Sequence, residues 1–283
     1  MMKKGVVLIT GTSSGFGMLA TVALAKEGYL VIATMRDTTK QNQLIALSES
    51  HHTQANIDIL KLDVNSDIDI HSAVNYVRER YQTIDILINN AGFCIGGMTE
   101  ELSINKWREQ FETNFFGLVS LTQACLPLMR ENKSGKIIHL GSISGRIGFP
   151  GLGPYVSSKF ALAGFSESLR LELLPFQIKV SLIEAGPFQT KIREKSLENV
   201  SQGKLLDYQP LLKTIIHKVQ TSASTAAEPN EVIRVILKIC QNPKPKFRYH
   251  VGKGVRTMVI LKQLLPWRIV EWIVKRNLFN DSR

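Results

Sequence analysis

The sequence predicts an α/β fold: a doubly wound parallel sheet of about seven strands with helices on both faces, followed by an amphipathic helical appendage at the C-terminus. Three observations predict it. Short apolar runs alternate with longer segments of helical character, as βαβ units require. The runs are nearly continuously apolar, as strands are when helices cover both faces of their sheet. Three glycines, Gly11, Gly15 and Gly17, stand directly after the first run, where a strand must turn into a helix.

The elements follow in order. Val6–Thr10 is the first strand and Phe16–Glu27 the first helix. Leu30–Thr34, Ile57–Leu62 and Ile84–Asn89 are the next apolar runs, with the helix Ser66–Tyr81 before the last of them. A long helical segment, Ile104–Arg130, leads to the strand Lys136–Gly141, and the helix Tyr155–Leu174 leads to the strand Ile178–Glu184. Pro229–Cys240 and Phe247–Val251 complete the alternation as helix and strand. Two segments fall outside it. Residues Gly186 to Glu228 form a long stretch with Gly203, Pro210 and a Ser/Thr/Ala-rich end, of a length that often serves as a functional lid. Residues Gly254 to Phe279 are amphipathic and broken at Pro266. No internal repeat or heptad run is present.

A chain of 283 residues with 44% hydrophobic composition can bury a large core and lies within the range of one large α/β domain. Val6–Thr10 is short and runs at once into glycine-rich sequence, so no secretory leader is expected. Cys94, Cys125 and Cys240 stand far apart, without metal spacing or a pairing scheme, which suits reduced, packed thiols in a cytoplasmic protein with no bound metal. The net charge of +11 is concentrated at one end: from Pro243 to Arg283 ten Lys or Arg face only Glu271 and Asp281, a surplus of eight. Mixed with Trp267, Trp272 and branched aliphatics, those cations suit a pair of interfacial helices in peripheral contact with an anionic membrane. No nucleic-acid motif accompanies them, so nucleic acid is not an expected partner. A cover over the substrate pocket, or a subunit contact, is the competing reading of the tail.

The motifs carry the chemistry. Thr10-Gly11-Thr12-Ser13-Ser14-Gly15-Phe16-Gly17 leaves the first strand and opens the first helix. Glycines let main-chain amides approach an anion closely, and the helix N-terminus adds unpaired N–H groups and a favourable dipole, so this Rossmann-like turn suits a dinucleotide pyrophosphate. An acid ending the second strand would accept from both ribose hydroxyls and repel a 2′-phosphate, but this chain has Met35 and then Arg36. Arg36 can hold that phosphate through a fork of charge-assisted hydrogen bonds, with Ser13 adding a hydroxyl, which favours NADP(H), with NAD(H) as the alternative. Asp37 stands one residue late for the ribose role, and neutralising Arg36 is its other reading. Asp63-Val64 ends the third strand, where a carboxylate can accept from an adenine amino group, a helix-capping acid being the alternative. Asn89-Asn90-Ala91-Gly92 puts small and amide-bearing residues at the carboxyl edge of the fourth strand, where ligands of open α/β sheets bind. Tyr155 and Lys159, four apart, share a helix face. A tyrosine titrates near pH ~10; the Lys159 ammonium is expected to lower that value and make Tyr155 a general acid/base.

Read together and in this order, with Asn114 in a long helix and Ser142 after the fifth strand, these motifs resemble the classical short-chain dehydrogenase/reductase family over roughly residues 5–252. The resemblance implies a catalytic set of Asn114, Ser142, Tyr155 and Lys159. In it Ser142 orients the substrate oxygen, Tyr155 gives or takes the proton, Lys159 binds the nicotinamide ribose, and Asn114 holds a water that relays protons to Lys159. It also implies cofactor contacts at Gly11, Ser13, Ser14, Gly15, Phe16, Gly17, Arg36, Asp63, Val64, Asn90, Ala91 and Gly92, at Tyr155 and Lys159, and at Pro187 and Thr190, which follow the sixth strand. Two departures stand out: Ala185 replaces the usual proline before Gly186, loosening the backbone slightly, and Phe16 replaces the commoner isoleucine, with no evident consequence. Ala33–Asp37, Ser181–Pro187 and Pro243–Tyr249 are most similar to the branch containing estradiol 17-beta-dehydrogenase and retinol dehydrogenases.

The expected function is therefore an NADP(H)-dependent interconversion of a lipophilic secondary alcohol with its ketone or aldehyde (steroid-, retinoid- or acyl-like) by a homodimer or homotetramer. A cofactor-binding sensor or scaffold without turnover is the rival from another class. The expected organisation is a dinucleotide-binding and catalytic domain over residues 1–252, with a substrate-binding loop at 188–228, and a basic amphipathic tail at 253–283.

Overall fold

Seven parallel strands, in the order β3-β2-β1-β4-β5-β6-β7, form the one sheet of the computed structural model, which describes residues 4–188, 205–221 and 227–279. In chain order the elements are β1 (Val6–Thr10), α1 (Gly15–Lys26), β2 (Leu30–Met35), α2 (Asn42–Ser50), β3 (Ile57–Lys61), α3 (Asp67–Tyr81), β4 (Ile86–Asn89) and α4 (Ile104–Phe111). A π-helical turn, Glu112–Phe116, joins α4 to α5 (Gly117–Glu131), followed by β5 (Gly135–Ser142), α6 (Gly153–Glu172) and β6 (Ile178–Ala185). Then come α7 (Gln209–Thr221), α8 (Asn230–Gln241), β7 (Arg248–Val251), α9 (Val255–Leu264) and α10 (Trp267–Phe279).

The inner strands are largely apolar because each alternates between two cores. Leu8, Ile32, Leu87, Ile137 and Val180 pack with Val77 of α3, Leu121 and Cys125 of α5 and Leu169 of α6. Their neighbours Val7, Ile9, Val31, Ile88 and Ile138 pack on the opposite face with Leu24 of α1 and Ile236 and Ile239 of α8. A strand with period-two side chains needs both sets apolar when both faces are covered. All three cysteines are free and buried, Cys125 and Cys240 within these two cores.

Three features differ from expectation. Helix α2 is not signalled by an apolar stripe, because only Leu44 and Ser48 of its residues are buried. Helix α7 lies inside the stretch expected to be a long loop, and residues 189–204 and 222–226 of that stretch lie outside the described residues. The long segment 104–130 is interrupted by the π turn, a device that recurs at functional sites. The appendage is a helix pair broken at Pro266, as its pattern indicates. No described helix is long and apolar enough to cross a membrane.

The far edge of the sheet is tied by charge. Glu184 of β6, 1% exposed, accepts from Arg146 Nε at 2.8 Å and Arg248 Nη1 at 2.7 Å, while His250 Nε2 lies 2.9 Å from its other oxygen. Arg248 Nη2 reaches Glu167 of α6 at 2.6 Å. The carboxylate thus joins the segment after β5 to the edge strand β7. Removing one partner of a buried pair leaves the others uncompensated. Glu184→Ala is expected to destabilise the fold by about 3 kcal/mol, read as a lower urea midpoint with an unchanged slope; a midpoint equal to the parent's would show the network to be energetically idle.

Candidate active site

The strand order reverses between β1 and β4, and the crevice at their carboxyl ends is the binding position of a doubly wound sheet. The glycine-rich turn is built tightly there. Gly11 has φ +70°, and a Cβ at Gly17 would meet the Gly11 carbonyl oxygen at 2.3 Å and Asn90 Nδ2 at 2.6 Å. Asn90 Nδ2 donates to Thr10 O at 2.8 Å and Gly11 O at 3.1 Å, while Asn90 N and Ala91 N both donate to Thr10 Oγ1. Asn90 and Ala91 therefore shape the turn from β4. Thr12 secures its other side by donating N and Oγ1 to Thr34 O at 3.0 and 3.1 Å. Thr10 and Thr12 stand in the glycine-rich motif, but their pairing with Asn90, Ala91 and Thr34 is not legible in the sequence. Ser13 and Ser14 are half-buried beside this turn, and Ser14 sits at the N-cap of α1 without a side-chain capping bond. Phe16 has a role the sequence did not reveal: its ring meets Phe188 edge-on, centroids 5.6 Å apart.

Arg36 follows the last residue of β2, is exposed and, among the described residues, forms no ion pair. Asp37 does not neutralise it. Its carboxylate accepts from Thr39 N at 3.1 Å and Thr39 Oγ1 at 2.6 Å and pairs with Lys40 at 3.2 Å, with the Thr39 side-chain bond as the main cause of a lowered pKa. Asp63, beside the buried Val64, is not the cap of α3 either, since Ser66 Oγ accepts from Asp69 N there. Asp63 instead accepts from Asn65 N at 3.0 Å.

Asn114 lies in the π turn, buried, with Oδ1 accepting from Phe93 N at 3.0 Å and Nδ2 donating to Phe93 O at 2.9 Å. Gln110, one helical turn earlier, holds the same loop through Ile95 N and Phe93 O, both at 2.8 Å. Both amides clamp the segment after Gly92, and a Cβ at Gly92 would stand 3.1 Å from Asn114 Oδ1. Asn114 Nδ2 also reaches Ser158 Oγ at 3.4 Å, which donates to Tyr155 O at 2.8 Å. The structure thus links Asn114 to the helix bearing Tyr155 and Lys159. Ser142 ends β5, accepts from Ser144 N at 3.1 Å, and has its hydroxyl near enough to that of Tyr155 to favour the ionised form of the tyrosine. Lys159 Nζ donates to Leu140 O at 2.9 Å and lies 5.7 Å from the centre of the Tyr155 ring. After β6, Pro187 is exposed and Gly186 N donates to Val251 O at 2.9 Å; Thr190 lies outside the described residues. Ala185 is not loosened, being paired with both Ser142 and Val251.

The electrostatics correct one expectation. Burial raises the Tyr155 hydroxyl above its ordinary value, the nearby Cys94 thiol adds to the shift, and the Ser142 hydroxyl opposes it. The Lys159 ammonium does not win, because it is itself desolvated and held by a neutral carbonyl: burial brings its pKa down to about 8. His139, stacked on Phe165 and bonded to Ser166, is likewise lowered by burial, to about 3. Tyr155 itself is half-buried, whereas Lys159 and His139 are buried, and in each of the three burial disfavours the charged form.

A family model described as short chain dehydrogenase matches residues 5–201. The chain is 43% identical over 282 residues to the uncharacterized oxidoreductase YusZ of Bacillus subtilis, covering 99% of this chain and 100% of that protein. It is 34% identical to 3-ketodihydrosphingosine reductase of Bacteroides thetaiotaomicron, covering 97% and 98% of the two chains. Identity to retinol dehydrogenase 8 of Bos taurus is also 34%, covering 92% of this chain and 85% of that one. This chain belongs to the short-chain dehydrogenase/reductase family, whose members bind NAD(P), and it is an oxidoreductase acting on CH–OH groups.

Because the folded pKa of Lys159 lies near 8, below its ordinary 10.5, the unfolded chain binds more protons between those values, and this residue's contribution to stability rises with pH across that window. Lys159→Met is expected to be more stable than the parent at neutral pH, by about 2–3 kcal/mol. That advantage should shrink above pH about 8 and vanish near 10.5. Guanidinium unfolding of both proteins across that range checks it; a difference independent of pH would show that the ammonium is not desolvated.

Proposed function

We propose that this chain is an NADP(H)-dependent oxidoreductase that interconverts a lipophilic secondary alcohol with its ketone or aldehyde, with Tyr155 as general acid/base. The observation that carries the reading is the Ser142 hydroxyl placed beside that of Tyr155, with a buried, carbonyl-anchored Lys159 5.7 Å from the tyrosine ring centre. The dinucleotide fits the residues present: the turn at Gly11 and Gly17 leaves main-chain amides no side chain to screen them, and the N-terminus of α1 opens beside it. Ser13, Ser14, Gly15 and Phe16 would hold the pyrophosphate end, Asp63 and Val64 the adenine, and Asn90, Ala91, Gly92 and Pro187 the remainder along the strand ends. When bound, the nicotinamide supplies or accepts the hydride.

The chain's own residues handle the proton and the oxygen. Ser142 donates to the substrate oxygen and orients it. Tyr155, whose raised pKa keeps its hydroxyl protonated at neutral pH, delivers its proton to that oxygen during reduction and recovers one in the reverse direction. Lys159 stands behind the ring, and Asn114 fixes the loop and helix on which these groups are mounted. The names of the similar proteins, a ketodihydrosphingosine reductase and a retinol dehydrogenase, support a lipophilic substrate. We further propose residues 1–252 as the catalytic domain, 188–228 as the substrate loop, 253–283 as an appended tail, and a cytoplasmic setting for this thiol-reduced chain. Exposed Ile104, Phe116, Phe160 and Leu171 support a homo-oligomer formed through α4, α5 and α6.

Tyr155→Phe keeps the ring and removes the proton. Turnover of a lipophilic ketone should fall by about 10²- to 10⁴-fold while cofactor affinity stays near the parent value; a variant retaining a tenth or more of the activity, with chemistry rate-limiting, excludes Tyr155 as the acid, and a parent that binds cofactor yet turns over no ketone supports the scaffold reading.

Arg36 is free to meet a 2′-phosphate because Asp37 is committed to Thr39 and Lys40. Arg36→Ala should weaken NADPH about 10- to 100-fold, the loss of a hydrogen bond to a charged group, and leave NADH nearly unchanged. Dissociation constants from fluorescence titration check this, and equal weakening of both cofactors would reduce Arg36 to a surface cation.

A further inference from the structure

Helices α9 and α10 expose far more apolar surface than their attachment to the protein uses. Val255 and Val259 are buried against Ile143, with Ile147 and Phe149 packed beside them, and this seats α9 on the segment leaving Ser142. Val270, Val274 and Leu278, spaced by four, are half-buried along α10, which lies beside α7. What remains outside is large: Leu264 is 74% exposed, Trp267 60% and Trp272 57%, with Met258, Leu261 and Ile269 also exposed. A cluster of this kind on a folded surface marks a contact with something apolar.

The charges around it select the partner. Residues 255–279 carry Arg256, Lys262, Arg268, Lys275 and Arg276 against the single acid Glu271. That acid accepts from Trp267 Nε1 at 2.6 Å. Both exposed indoles carry a cation: Lys262 Nζ lies 4.5 Å from the Trp267 ring centre and Arg276 Cζ 5.4 Å from that of Trp272. Indoles with cations over their rings and aliphatics between them match the boundary between anionic headgroups and acyl chains. We propose that α9 and α10 dock this protein on an anionic lipid surface, with Leu264, Trp267 and Trp272 entering the headgroup layer. The opposite face of α9, through Val255 and Val259, packs on Ile143 next to Ser142, so docking would hold the site close to the phase that holds lipophilic molecules.

The test uses the full chain and reads lipid binding, not turnover, so it stands apart from the reading of the reaction. The parent should sediment with vesicles of phosphatidylcholine and phosphatidylglycerol, far less with phosphatidylcholine alone, and progressively less as salt shortens the Debye length from about 10 Å at 0.1 M towards about 3 Å at 1 M. Each cation near such a surface contributes about fivefold, so Arg268→Gln with Lys275→Gln should weaken binding about 30-fold. Trp267→Ser with Trp272→Ser should abolish the blue shift of indole fluorescence on adding vesicles. Circular dichroism verifies that both variants are folded. A parent that ignores anionic vesicles, or variants that bind as the parent does, overturns the proposal. So does a tryptophan variant that binds vesicles unchanged but has a smaller assembly mass by light scattering, since the face would then be a subunit contact.

Discussion

The approach of β1 to β4 at the reversal of the sheet is the constraint on which the rest of the site depends. There the α1 backbone, the Gly11 carbonyl and the Asn90 amide converge so closely that one methyl group at position 17 would stand 2.3 Å from Gly11 O. The approach is held by a threonine hydroxyl that accepts two main-chain N–H groups from the next strand and by an asparagine amide that satisfies two carbonyls of the turn. Buried polar groups must be paired, and here the pairing also fixes the direction in which the first turn of α1 presents its free amides. Position and polarity of the anion seat are thus one and the same structural fact.

Ionisable groups divide into two regimes. Glu184 is buried with its charge answered by two guanidinium groups, so the desolvation is offset by partners. Lys159 is buried against a neutral carbonyl, and its proton is correspondingly easier to lose. Burial shifts Tyr155 and His139 in the directions that keep them neutral. A site kept near neutrality by burial can hand over protons with little reorganisation, at the expense of native stability.

The segments that follow β6 are mounted on the site instead of standing apart from it. Phe188 packs on Phe16 at the head of α1 and bridges to Ala227, so the two ends of the intervening stretch are brought together beside the glycine-rich turn. Val255 of α9 reaches Gly186 closely enough that a Cβ there would meet it at 2.6 Å. Movement of either segment would therefore be felt at the carboxyl edge of the sheet.

By itself the sequence determined the seven strands, the glycine-rich turn and the order of the motif residues, because each is written in neighbouring positions: short, nearly continuous apolar runs, a glycine where the chain must turn, a tyrosine and lysine one helical turn apart. Helices α2 and α7 were not legible, α2 because it buries too few side chains to leave an apolar period. The partners were decided only in three dimensions. Asp37 turns to Thr39 and Lys40 and not to Arg36; Ser66, not Asp63, caps α3; Phe16 finds Phe188, 172 positions away in the chain. The direction of the Tyr155 shift belongs to the same class, since a lysine four residues away predicts an attraction whereas the surrounding packing decides how much water either group retains. Local pattern specifies which residues share a face; desolvation and long-range pairing depend on everything packed against that face, and only the tertiary structure assembles it.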